Sequence, residues 1–261
     1  MLRFTTPLGV GITLAGVLLL SGCLAADKSP SKPFSLAALA IEKQYVAPDC
    51  QDEQCSTVTV SALEFPQAPA LSEALQTRLL TLGMSISEEV GQPAQSWDGY
   101  AERFFDMAEE DNRTAPGGMT SEALLEATSY ARHNDLFVVE LNSYVYHAGQ
   151  AHGLPLTEFM VIDERERRVV EPDEMLIDGQ EAAFDALLVQ AHQRWIGDMG
   201  FDAQFTVNWP LSQSRNIAPL EDHWEVTYNV YEIAPYAAGQ PTLTIPLAAL
   251  EGVAKPRYLG R

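Results

Sequence analysis

The chain has 261 residues, 46% of them hydrophobic, and a formal net charge of -20 at pH 7. With 36 acidic residues against 16 Lys and Arg, the balance excludes nucleic acid or an anionic lipid surface as the main partner, since both are recognised by clustered cations. The apolar share excludes a disordered chain, and about 240 residues beyond the N-terminus can bury one large core or two small ones.

Residues 1–22 carry one cation, Arg3, then the apolar run 8–20, and lead into Leu20-Ser21-Gly22-Cys23. That ending resembles a bacterial lipobox. It predicts a lipoprotein signal peptide over 1–22 and a lipid anchor and tether over 23–44, with Cys23 as the lipidated residue. Loss of Arg3 on cleavage would leave 15 cations against 36 acids, a net charge of -21. Multiple acyl chains on one cysteine hold a membrane stably where a single chain is marginal. Leu24 after the cysteine resembles sorting to the outer membrane, facing the periplasm, in a Gram-negative host. Lys28-Ser29-Pro30-Ser31-Lys32-Pro33 is too polar and proline-rich to fold, which suits a tether. Cys50 and Cys55 then fall outside the cytoplasm, where disulfides persist, and read as a small disulfide loop. A zinc site is disfavoured because no histidines or second cysteine pair lie nearby.

Residues 57–65 alternate and are β-rich, predicting a strand that Pro66 ends. Leu71, Ala74, Leu75, Leu79 and Leu82 follow helical spacing up to Gly83. Trp97, Ala101, Phe104, Phe105 and Ala108 share one face of a second helix, and 112–118 is a break. Residues 123–132 have a composition that allows a helix, yet His133-Asn134-Asp135 after them looks like a hairpin turn. Strands are predicted over 136–146 and 159–162, the latter running into the charged turn 163–168. A helix over about 179–196 turns Phe184, Leu187, Leu188, Ala191 and Trp195 inward. A hairpin around 221–223, a strand over 224–231 and a strand over 242–245 complete the chain. Strands and helices in separate runs predict an α+β fold, mainly antiparallel sheet with packed helices. No internal repeat is present.

Common catalytic signatures are absent from the sequence, among them Gly-x-Ser-x-Gly, His-Glu-x-x-His and the P-loop. His147 and His152 flank Gly149 and precede Gly153. Such a pair could hold a metal or act as a general base, or it could belong to a tight connection in which His152 makes structural hydrogen bonds. Five residues apart is awkward on a helix, and neither metal nor cofactor is expected. In 231–239, Pro235 ends strand pairing and Gly239 permits a positive φ, so Tyr236 falls in a loop between two strands. There it is either a stiff binding anchor, with a ring and a hydroxyl that could reach a carboxylate, or a ring packed over the sheet edge.

Tyr146-His147-Ala148-Gly149-Gln150-Ala151-His152-Gly153 is similar to the Tyr-x-Gly-Gly-Ala-His-Gly signature of the extracytoplasmic domain of RsiV-type proteins. Tyr231-Glu232-Ile233-Ala234-Pro235-Tyr236-Ala237-Ala238-Gly239 resembles that family's Tyr-Glu-Ile-Ala-Pro-Tyr-Ala-x-Gly signature, and 168–176 resembles its strand-to-helix step. The resemblance runs from about Tyr45 to Tyr258, with one departure at Gln150, where the family has glycine. It implies two α+β subregions, 45–144 and 145–261, and a binding site drawn from Pro235, Tyr236, His147, His152 and Gly153. The best understood member of the family is an anti-sigma factor whose outer domain binds lysozyme, and a related module precedes the catalytic domain of some polysaccharide deacetylases. Only seven residues precede the apolar run, so no cytoplasmic sigma-binding segment is expected. The expected function is that of a cell-envelope lipoprotein binding a basic extracellular protein, lysozyme above all, without catalysis. The alternative is an envelope hydrolase or deacetylase-associated glycan-binding module, with His152 working beside neighbouring acids.

Overall fold

The computed structural model describes residues 35–48, 50, 55–84, 94–115 and 117–260. The expected signal peptide, Cys23 and the tether as far as residue 34 lie outside the described residues. Six strands form the larger sheet: β1 (Leu39–Val46), β2 (Thr57–Glu64), β3 (Glu122–His133), β4 (Leu136–Tyr146), β5 (Leu154–Asp163) and β6 (Arg168–Val170). They lie side by side in chain order, antiparallel except for the parallel pair β2–β3. A parallel pair needs a long crossover, and the residues between β2 and β3 supply it as α1 (Pro69–Leu82) and α2 (Trp97–Thr114). A second, antiparallel sheet of β7 (Ile217–Pro219), β8 (His223–Thr227) and β9 (Thr242–Pro246) follows α3 (Glu181–Met199) and α4 (Ala203–Asn208). A last short helix, α5, covers Leu247–Leu250. The architecture is α+β.

The tether predicted through residue 44 gives way to β1 at Leu39. This edge strand turns only Ile41 and Tyr45 towards the core, so its sequence carries no apolar alternation to announce it. The Cys50–Cys55 disulfide, with Cα atoms 5.8 Å apart, closes the connection from β1 to β2. Residues 123–132 belong to β3. Ala123, Leu125 and Ala127 are buried while Glu122, Leu124 and Glu126 are exposed, so a period of two overrides the helix-friendly composition. The turn after it holds Asn134 at φ 48° and Asp135 at φ 62°, the paired left-handed residues that a two-residue hairpin requires. α2 runs on through Thr114, three residues into the predicted break. Its start is capped by Ser96 Oγ, which accepts from Gly99 N at 3.1 Å.

Two cores result. In the first, Leu71, Leu75 and Leu79 of α1 and Tyr100 and Phe104 of α2 pack on Val58, Val60 and Leu125. In the second, Phe184 and Leu188 of α3 pack on Trp224, Val226, Leu243 and Ile245, and Leu136 and Val161 of the larger sheet join them. β4 and β5 are therefore covered on both faces, which is why 136–139 and 159–163 are buried without alternation. The position 144/145, expected to divide two subregions, falls inside β4, and residues of the larger sheet contribute to both cores.

The two sheets are joined by side chains acting as a substitute strand. Asn216 Oδ1 accepts from Phe159 N (2.8 Å), and its Nδ2 donates to the carbonyls of Thr157 (2.8 Å) and Thr227 (3.2 Å). Asn229 Oδ1 accepts from Thr157 N at 2.7 Å. Without them the backbone groups of β5 that face the second sheet would be buried without partners.

Candidate functional site

The predicted strand over 224–231 ends early, at Thr227. Asn229 spends its side chain on β5, and the chain then folds back, with Glu232 N donating to Asn229 O (3.1 Å) and Tyr231 N to Ala234 O (3.1 Å). Tyr231 sits at φ 69°, a left-handed conformation that costs a non-glycine residue about 1–2 kcal/mol and is tolerated where the surroundings enforce it. Ile233 and Ala234 are fully buried and pin the loop from beneath. Pro235 is extended and leads into a 3-10 turn over Tyr236–Ala238, closed by Gly239 at φ 72°. Tyr231 and Tyr236 are thus carried on a short loop braced at both ends.

The connection between β4 and β5 meets this loop through His152 and Gly153. The His152 ring stacks on Tyr236, with centroids 3.8 Å apart and planes 23° from parallel. Its Nε2 lies 3.1 Å from Tyr231 Oη, and its Nδ1 lies 3.1 Å from the Gly153 carbonyl. The Tyr236 hydroxyl donates to the same carbonyl at 3.0 Å. Gly153 has no room for a side chain: a Cβ there would lie 2.2 Å from Tyr144 Cζ and 2.5 Å from its hydroxyl. Tyr144, Gly153, His152, Tyr236 and Tyr231 therefore form one aromatic platform, with Tyr231 46% exposed at its rim. Rings held in this way lose little freedom on meeting a partner.

His147 has a different fate from His152. It is 6% exposed and turns to α2, where Nδ1 donates to Asp111 Oδ2 at 2.8 Å and the ring lies 5.6 Å from that of Phe104. It ties the connection to the first core. Of the predicted site residues, Pro235, Tyr236, His152 and Gly153 come together, whereas His147 is a structural histidine. The reason is sidedness: His147 follows the last residue of β4 and continues its inward face, while His152 lies beyond the turn at Gly149, which has φ 91°. The carboxylate expected within reach of Tyr236 would find its hydroxyl already donated to Gly153. Tyr231 and Tyr144 are the residues that sequence reasoning missed. Tyr231 was read as the end of a strand, and the signal against that was Asn229, whose short amide side chain favours leaving the ladder.

Among the described residues, no group of three or more His, Cys, Asp or Glu is placed to hold a metal ion, and no helix is long and apolar enough to cross a membrane.

The family model described as "Protein of unknown function (DUF3298)" matches residues 173–248, which include α3, the second sheet and the Tyr231–Tyr236 loop. A DUF3298 family protein from Pseudomonas aeruginosa PAO1, known from its crystal structure, is 30% identical over 87% of this chain and 97% of its own, with a TM-score of 0.73. A member of the same family from Bacteroides fragilis NCTC 9343 is 21% identical over the same shares, with a TM-score of 0.63, and shares the fold. No curated protein matches the chain.

Proposed function

The chain belongs to the DUF3298 family, and from that premise we propose that it is an RsiV-like cell-envelope lipoprotein that binds a basic extracellular protein, lysozyme first among the candidates. The observation that carries this reading is the platform of His152, Tyr231 and Tyr236, where a strained and exposed tyrosine is held in a fixed aromatic stack. Backbone strain of this kind collects at binding and catalytic sites, and fixed aromatic anchors dominate the energetics of many interfaces. The net charge of -20 adds long-range attraction for a cationic partner and speeds its association. As a hydrolase the site would lack an oriented acid: His152 is bonded to Gly153 and Tyr231 rather than to a carboxylate.

The test is titration of lysozyme into the soluble chain from residue 24 onward, read by calorimetry. The expected result is saturable 1:1 binding that weakens with salt and no turnover of lysozyme or of glycan. No detectable binding at low salt ends this reading. In the same reading, Cys23 carries the lipid, and Cys23→Ala abolishes metabolic labelling with fatty acid. Labelling that survives the substitution ends the lipoprotein assignment.

A further inference from the structure

Directly paired strand residues share a face of the sheet, so the registers of β1 to β4 fix what each face of the larger sheet presents. On one face Val58, Val60 and Leu125 meet α1 and α2. The other face is covered only in part. The second sheet lies over it at β4 and β5, where Val138 and Phe159 pack on Ala218. Among the described residues no other element lies over it at β1, β2 and β3, and Glu42, Gln44, Glu122 and Glu126 are exposed there. Val46 and Leu124 on the same face are 50% and 38% exposed.

This face also carries charge of one sign. Its charged residues are Glu42, Glu122, Glu126 and Glu140. The cations of the same strands belong to the helix-covered face: Lys43 is paired with Val60, and the Arg132 guanidinium lies 4.0 Å from the centroid of Phe137. Glu42 accepts from Ser61 Oγ at 2.7 Å, and none of the four carboxylates has a cationic partner among the described residues. A row of paired residues, Gln44, Thr59, Leu124 and Tyr144, runs across the face from β1 to β4. Its last member is the tyrosine whose ring closes on Gly153, so the face and the aromatic platform are one continuous surface. The next row, Val46, Thr57, Glu122 and Tyr146, borders an open cavity of about 590 Å³ at the end of the sheet.

We infer that the uncovered face of β1–β3 is a second part of the partner-binding surface, docking a lysine- and arginine-bearing face of the same basic protein that meets the platform. This rests on the proposed binding of a basic protein and says where that protein lies. A stable interface takes about 20–30 residues a side, more than the few rings of the platform supply, so the partner must extend over an adjoining surface. The sheet face adjoins it, is held in place by its ladders, and exposes apolar side chains without a competing cation. Its carboxylates give up no ion pair within the chain when they meet the partner's cations, which makes the charge match favourable at short range as well as in steering. The cavity gives a long basic side chain room between Glu122 and Tyr146.

The experiment compares two charge-matched pairs of substitutions by calorimetric titration with lysozyme at about 0.15 M salt. Glu122→Lys with Glu126→Lys reverses the charge of the face. Glu102→Lys with Asp106→Lys reverses two exposed acids of α2, on the other side of the sheet, and changes the net charge equally. The first pair is expected to weaken binding at least about tenfold and the second less than about threefold, since a remote charge acts only through long-range steering. A thermal melt accompanies each titration. If the Lys pair on the face lowers the midpoint, Glu122→Gln with Glu126→Gln, which removes charge and keeps size, decides the matter. A weakening by about threefold or more then supports the inference, and unchanged affinity overturns it. Equal losses in the two Lys pairs show that net charge alone attracts the partner, and overturn the inference while leaving lysozyme binding in place. Absence of binding by the unaltered protein overturns both.

Discussion

Tyr236→Ala is expected to weaken lysozyme binding at least tenfold while moving the thermal midpoint little. The ring is half of the His152 stack, and its hydroxyl fixes Gly153 O, so truncation removes one contact face and releases the other. Loss of a central aromatic anchor removes about 2 kcal/mol of binding energy, roughly thirtyfold in Kd. Stability should hold because Ile233 and Ala234, buried beneath the loop, are untouched. Tyr231→Ala should behave in the same direction, with any change in stability reduced by relief of its left-handed backbone strain. Calorimetric titration and a thermal melt of the same sample check both. An unchanged Kd removes the loop from the interface, and a collapsed midpoint makes Tyr236 a packing residue.

Asp163→Ala should be the most destabilising substitution in the charged turn after β5. Asp163 is fully buried at the end of that strand. Its Oδ1 accepts from Arg165 N (3.0 Å) and Glu166 N (2.9 Å), and its Oδ2 pairs with the Arg257 guanidinium of the C-terminal 3-10 turn. Removing the carboxylate leaves two backbone donors and one cation without their partner. Breaking a buried pair from one side costs about 3 kcal/mol or more, which for a domain of this size is a midpoint lower by about 6–12 °C. Arg257→Met should also destabilise, because it leaves the fully buried Asp163 carboxylate without its counter-charge and with only the two backbone N–H groups to hold it. Asp163→Asn should cost less than Asp163→Ala, since the amide oxygen still accepts the two N–H groups. Thermal melts of the three variants give the order, and a midpoint for Asp163→Ala within 2 °C of the unaltered protein would show that water replaces the carboxylate.

Local signals in the chain were enough for elements that bury one face against a neighbour. The alternation over 57–65, the leucine spacing in 71–82 and the aromatic face of 97–108 became β2, α1 and α2 because each periodicity matches the face that its own geometry buries. The five-residue separation of Cys50 and Cys55 and the Asn134-Asp135 turn were also legible, since both are settled within a few residues. The placing of Tyr236 in a loop was legible from Pro235 and Gly239, while the nearness of that loop to His152 and Gly153 followed from the resemblance and not from any spacing.

Other features were decided only by tertiary structure. β1 buries so little that no pattern marks it, and it exists because β2 supplies a ladder. β3 could have been a helix by composition, and pairing on both sides made it a strand. The fates of His147 and His152, five residues apart, were set by what faced them: Asp111 and Phe104 from α2 for one, Tyr231 and Tyr236 for the other. Tyr231 left its strand because Asn229 was drawn to Thr157, 72 positions away. Periodicity records that a residue is buried. It carries no record of which distant donor or acceptor will meet it there, and the platform is made entirely of such meetings.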